Sequence, residues 1–152
     1  MISRDQLAAA LVRECDITLH LHGKLPPEAM DYRPSPGQRS TLELLRYLAI
    51  CGIGGITCLA EADWKRFAEF AERTGEMPGD GFPAAMARQR DEIEQFFARA
   101  HDETLATQPA PLPGGGMMPL GAAIMNGPLK WLTAYKLQLF LYAKAAGATG
   151  LG

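Results

Sequence analysis

The sequence predicts an all-α fold, a four-helix bundle in one domain over residues 1–152. Three observations carry that expectation. Apolar residues recur at three- and four-residue intervals over long segments, two capping boxes open such segments, and no alternating apolar and polar run is bounded by hairpin signals. A chain of 152 residues with 47% apolar content is long enough to form its own core, since chains of this size bury roughly two-thirds of their unfolded surface.

The first helix is expected from about residue 4 to Gly23. Ser3 and Gln6 form its capping box, and Leu7, Leu11, Cys15 and Leu19 follow as a stripe flanked by Ala8 and Val12. Lys24 to Arg39 contains Pro26, Pro27, Pro34, Pro36 and Gly37, which excludes one regular helix and reads as an ordered connector. A second capping box, Ser40 to Glu43, opens a helix expected to continue unbroken to about Ala60. Beyond Arg46 this helix is apolar on every side, so neighbours should surround it. Its interior glycines, Gly52, Gly54 and Gly55, predict close approach of another backbone.

Asp63 caps a short amphipathic helix, Trp64 to Arg73, inside a crossover that Gly75, Pro78, Gly79 and Gly81 close. The third long helix starts near Pro83 and turns Met86, Ile93, Phe97 and Ala100 to one face. Gln108 to Pro119, with four prolines and three consecutive glycines, is a linker. The last helix runs from about Leu120 to Ala146, kinks at Gly127-Pro128 and stops at Gly147. From Thr104 onward the chain carries three lysines and no acid, so this helix is expected to be the central one. The long helical crossover lets the second and third long helices run parallel, giving an up-down-down-up order.

Composition excludes several classes of function. A net charge of −2, with no run of more than two basic residues, offers no field for nucleic acid. Cys15, Cys51 and Cys58 are odd in number and contain no C-x-x-C pair, which fits a reducing compartment, the cytoplasm. Residues 1–5 lack the pattern of a signal peptide, and Tyr47 to Ala60 spans 14 residues, short of the roughly 20 that cross a bilayer. Neither membrane nor nucleic acid is an expected partner. Gly114-Gly115-Gly116 follows no strand and lacks a Lys-Ser/Thr pair, so it is not a phosphate loop.

The connector Leu25-Pro26-Pro27-Glu28-Ala29-Met30-Asp31-Tyr32-Arg33-Pro34-Ser35-Pro36-Gly37 runs into Ser40-Thr41-Leu42-Glu43-Leu44-Leu45-Arg46-Tyr47-Leu48-Ala49. With Tyr135-Lys136-Leu137-Gln138-Leu139-Phe140-Leu141-Tyr142-Ala143-Lys144 near the C-terminus, this order resembles the DinB-like superfamily of four-helix bundles. The resemblance covers nearly the whole chain through loose motifs. Metal-binding members carry a Leu-Leu-x-His-Leu type motif in the second helix and two histidines spaced i, i+4 in the last, followed by Arg-Gly-Gln. Laid on this chain, those three positions are Tyr47, Trp131 and Tyr135. Lys136 and Gln138 keep part of the trailing pattern, whereas Leu137 replaces the glycine. Indole cannot ligate, and a phenol with an ordinary pKa near 10 is a poor zinc or nickel donor, so neither metal nor another cofactor is expected.

The resemblance therefore implies a DinB-like domain without the usual metal triad. It would bind a small apolar or amphipathic ligand or a protein partner in the inherited cleft; a homodimer is expected separately, from the dry area that Tyr47 to Ala60 and the acid-free last helix offer beyond one core. Candidate pocket residues are Tyr47, Cys51, Trp131, Tyr135, His22 and Arg90. Helical spacing puts Glu43, Tyr47 and Cys51 on one stripe, places His22 where it could approach Tyr47, and sets Arg90 at the edge of a dry face where it could receive an anion. The competing expectation is a thiol-dependent transferase or hydrolase with a site shifted to His22, Glu43, Cys51 and Tyr135. A third is a purely structural module whose cavity is filled. The ordinary role of Cys51 is a small buried hydrophobe, and that of His22 is to bond a carbonyl at a helix C-terminus.

Overall fold

A computed structural model describes residues 2–151. Helix α1 (Arg4–His22) begins at the Ser3–Gln6 capping box and ends at Gly23. Its buried residues are Leu7, Leu11, Cys15, Thr18 and Leu21. The dry stripe thus leaves the four-residue spacing after Cys15, because 3.6 residues per turn require a three-residue step. The connector is ordered, with a 3₁₀ turn at Pro27–Asp31, and Arg33 pairs with Glu43 at 2.9 Å.

The expected second helix is two helices, α2 (Thr41–Leu48) and α3 (Cys51–Glu61), bent by 42°. At the break Ile50 has φ −133° and ψ −13°. A side chain from elsewhere stabilises the break: Gln89, 1% exposed, accepts from the Gly52 and Ile53 amides at 2.9 and 3.1 Å and donates to the Leu48 carbonyl at 2.8 Å. One carboxamide thereby serves groups that the interrupted helix leaves open. The glycines of α3 meet side chains rather than another backbone. A Cβ on Gly52 would lie 3.0 Å from both Gln89 Oε1 and Leu132, and one on Gly54 would face Phe67 and Phe70.

The crossover holds a 3₁₀ turn, Trp64–Arg66, capped by Asp63, followed by α4 (Phe67–Thr74). Helix α5 (Phe82–Arg99) has proline in its first turn and buries Met86, Gln89, Ile93 and Phe97. After α6 (Asp102–Thr107), the segment expected as a plain linker contains a two-stranded antiparallel hairpin, β1 (Pro109–Pro111) with β2 (Met117–Pro119). Three-residue strands give too short an alternation to read, and positive φ at Gly115 and Gly116 makes the turn. Helices α7 (Leu120–Ile124) and α8 (Lys130–Ala145) are joined by a π-type turn, Met125–Leu129, containing Pro128. Gly147, at φ 88°, stops the chain's last helix.

Residue pairs fix the helix directions. Arg4 donates to the Ala100 carbonyl, Asp16 pairs with Arg90, and His22 lies on Phe82, so α1 and α5 are antiparallel. Leu7 shares a cavity wall with Met125, and Glu14 pairs with Lys136, so α1 and α8 run parallel. The Arg39 carbonyl meets Tyr142, Tyr47 meets Tyr135, and Gly55 meets Pro128 and Trp131, which sets α2–α3 against α8. Gly52 meets Gln89, while Glu61 lies by Arg99 across one groove, making α3 and α5 parallel. The order is up-down-down-up.

The most enclosed element is α3, where Cys51 through Ile56 are all buried. Helix α8, expected to be central, instead leaves Leu137 and Leu141 each 56% exposed. Absence of acidic residues did not imply burial, because lysine and partly buried aromatic positions cover much of that helix. Among the described residues no single helix is long and apolar enough to cross a membrane. The bent pair α2–α3 has the required composition, but its apolar residues belong to the core.

Candidate functional site

Tyr47, at the end of α2, and Tyr135, on α8, face each other with ring centroids 4.9 Å apart, edge to face. The 42° bend after Leu48 lets α2 present Tyr47 while α3 turns into the core. Arg39 lies over both rings, its guanidinium carbon 4.3 Å from the Tyr47 centroid and 5.4 Å from that of Tyr135. Such a cation over aromatic faces contributes about 0.5–2 kcal/mol according to its desolvation. Phe67 of the crossover closes another side of Tyr47, at 6.2 Å between centroids. Burial pushes the Tyr47 hydroxyl pKa well up, with Cys51 and Tyr135 adding and Arg39 opposing, so the phenol stays protonated at neutral pH.

Trp131, one turn before Tyr135 on α8, packs edge to face with Trp64 at 6.0 Å. The Trp64 indole donates to the Pro111 carbonyl at 2.8 Å, tying the crossover to the hairpin. Gly55 makes room for Trp131: a Cβ there would lie 2.6 Å from the indole and 2.8 Å from Pro128. Tyr47 and Tyr135 therefore form one contact, while the Trp131 ring is engaged by Trp64 and Gly55.

The other candidates have separate engagements. Cys51 is fully buried at the start of α3, and burial drives its thiol pKa strongly upward. Cys15 is likewise raised, to about 12, and Cys58 to about 11, chiefly by burial. None is a ready thiolate. His22 does not join Tyr47 through any hydrogen bond or ring contact; its Nε2 donates to the Gly79 carbonyl at 2.8 Å and its ring lies on Phe82 at 5.1 Å. A carbonyl can only accept, so this bond assigns the proton to Nε2. Arg90 is occupied by Asp16 and Glu94, each at 2.8 Å, rather than held ready for a substrate anion. Glu43 leaves the proposed stripe for the Ser40 capping box and Arg33. His20 and His101 are exposed.

Sequence reasoning missed Arg39 and Gln89. Arg39 had no local signal, because its role depends on α8 arriving beside α2. Gln89 had one: it stands three residues after Met86 and four before Ile93, a polar residue in the middle of an apolar stripe. Among the described residues, no three His, Cys, Asp or Glu side chains converge into a metal-ligand set. The phenols of Tyr47 and Tyr135 with the Arg39 guanidinium do not fit a zinc or nickel ion.

No protein-family model matches this chain, and no curated protein matches it. Solved structures do. A DinB-like protein, YjoA from Bacillus subtilis, superposes with a TM-score of 0.76 over 97% of this chain and 96% of its own, at 16% sequence identity. The chain has the DinB-like fold.

Proposed function

We propose that this chain is a DinB-like domain that works by binding, without the metal triad of its metal-binding relatives, and that its ligand is a small apolar or amphipathic molecule. The observation carrying this reading is the Tyr47–Tyr135 pair capped by Arg39, at positions where the family resemblance would put metal-ligating histidines. Rings there displace donors rather than supply them. The rival thiol enzyme lacks support because Cys51 is buried and protonated, while His22, Glu43 and Tyr135 each serve a different local contact.

Elemental analysis of protein purified without a histidine tag tests this reading. The expected result is no stoichiometric transition metal. One zinc or nickel per chain, retained after dialysis and lost on mutation of Tyr47 or Tyr135, would overturn it. Replacing Tyr47, Trp131 and Tyr135 together by histidine is expected to raise zinc affinity over the parent while lowering stability. A folded triple variant with no gain would mean that the three positions do not converge.

A homodimer is the second part of the reading, and α8 supplies its surface. The stretch Tyr47 to Ala60, first expected to contribute, is almost wholly used inside one chain. Leu137 and Leu141 stand one turn apart, both 56% exposed, beside an apolar groove formed with Met125, Leu129 and Ala134. Light scattering at micromolar concentration should give a dimer, and Leu137→Asp with Leu141→Asp should give a monomer. A monomeric parent would remove the dimer from the proposal.

A further inference from the structure

A half-open cavity of about 630 Å³ lies where the start of α1 meets α6 and α7, and neither Tyr47 nor Tyr135 lines it. Leu7, Leu105, Pro119, Ala122 and Met125 provide apolar walls, and Ser3 and Asp102 provide the polar side chains. Its volume falls within the roughly 300–1,000 Å³ range of small-molecule sites. Tyr135 follows Met125 by ten residues, separated from it by the π-type turn and the first turn of α8.

The elements around the cavity are tied to one another by hydrogen bonds that fix their positions. The Arg4 amide donates to Asp102 Oδ1 at 2.7 Å, and its guanidinium donates to the Ala100 carbonyl at 3.1 Å. On the far side, the Leu120 amide donates to the Gln108 carbonyl at 2.8 Å, while the Gln108 side chain donates to the Ala60 carbonyl at 2.9 Å. Gly121 lets α7 approach α6 closely, since a Cβ would lie 3.0 Å from the Leu105 carbonyl. Met125 opens the π-type turn, a local irregularity that often accompanies sites, and its thioether adapts to varied apolar shapes.

We infer that this cavity is the ligand site, and that it takes an amphiphile with an apolar body and a cationic, hydrogen-bond-donating head. This deepens the reading of the chain as a binding module and rests on it. Asp102 chooses the head. Among the described residues no Lys, Arg or His nitrogen forms an ion pair with it, because the Arg4 guanidinium goes to Ala100 and Asp5 instead. Asp102 stands exposed at the cavity rim, where one carboxylate oxygen receives the Arg4 amide and the other has no protein donor among the described residues. A carboxylate or phosphate head would meet like charge, whereas an ammonium would complete the site.

Decylammonium, decanol and decanoate, each kept below its aggregation concentration, test the chemistry by titration of the full chain. Methyl resonances of Leu7, Leu105 and Met125 should shift saturably with decylammonium, and decanoate should bind at least about tenfold more weakly. Asp102→Asn, which keeps the acceptor for the Arg4 amide, should reduce decylammonium to the level of decanol. Ala122→Phe should fill the cavity and abolish the shifts; Ala106→Phe, at an exposed wall position, repeats that test if the first variant fails to fold. Absence of saturable shifts, retention of binding in the filled variant, or equal binding of decanoate overturns the inference. Self-association abolished by Ala106→Phe would make a second copy the occupant and also overturn it. Metal at Tyr47 and Tyr135 would instead defeat the reading of function while leaving these titrations intact.

Discussion

The middle of the bundle and the end formed by α6 and α7 draw on the same apolar residue types, yet one is filled and the other is open. In the middle, Gly52 and Gly55 admit Gln89 and Trp131 so closely that an added Cβ would lie 3.0 and 2.6 Å from them. At the end, Gly121 brings two backbones together, but the surrounding small residues leave a cavity of about 630 Å³. The difference teaches that a glycine creates either a socket or a close backbone approach, according to which group packs over it. A large side chain arriving over it fills the socket. Short helices tied by backbone and side-chain hydrogen bonds cannot slide inward to fill the space.

The sharpest way to break this contrast is at Gln89. Gln89→Leu nearly preserves volume but strands two buried amides and a carbonyl at the α2–α3 break. At about 1–3 kcal/mol for each unsatisfied group, partly relieved by relaxation, a loss of about 3–6 kcal/mol is expected in denaturant unfolding. A loss below about 1 kcal/mol would mean that the bend needs no outside partner and that the middle is less tightly specified than its contacts indicate.

The fold was legible because its signals are local. Ser3 with Gln6, Ser40 with Glu43, Pro83, and Gly147 mark helix ends through groups only a few residues apart. Crossover length then made parallel α3 and α5 the natural arrangement. The bend at Ile50 was illegible because the Gln89 side chain that bonds Leu48, Gly52 and Ile53 around it is 36 to 41 residues away from them, and continuous apolar sequence gave no reason to stop a helix there. The candidate site was only half legible. Family spacing placed Tyr47 opposite Tyr135, but neither Arg39 above the rings nor Trp64 against Trp131 follows from periodicity. Helical spacing set His22 toward Tyr47 and Arg90 toward an anion, and it does not reveal that the Gly79 carbonyl and Asp16 engage them instead.

A smaller effect separates the two regions by adding volume instead of removing bonds. Gly55→Ala forces its methyl into Trp131 and Pro128, an overpacking expected to cost about 1–3 kcal/mol. Trp131→Ala alone should cost about 3 kcal/mol, at the low end for tryptophan because the ring is partly exposed. Combined, the two should cost less than their sum, since the alanine methyl enters space the indole vacates. At the open end, Ala122→Leu should change stability by less than about 1 kcal/mol because the cavity receives the added carbons. Equal penalties for Gly55→Ala and Ala122→Leu in thermal unfolding would erase the distinction between filled and open regions.

The smallest expected effect compares the two capping boxes, one leading into the middle and one at the cavity rim. The Ser40 amide donates to Glu43 Oε2 at 2.8 Å, while the Ser3 amide donates to neutral Gln6 Oε1 at 2.9 Å. The Arg33 hydrogen bond, with the Ser40 amide next, holds the Glu43 carboxyl below its ordinary value of 4.5. Because the folded value is depressed, its stabilising effect is present above the unfolded value and disappears as pH falls through the folded one. The Ser40 amide resonance should therefore titrate with a midpoint below 4.5, and Glu43→Gln should remove that titration while preserving an acceptor for the amide. A Ser40 midpoint at or above 4.5 would show that Arg33 does not hold the carboxylate, leaving the start of α2 with a capping box no more electrostatic than that of α1.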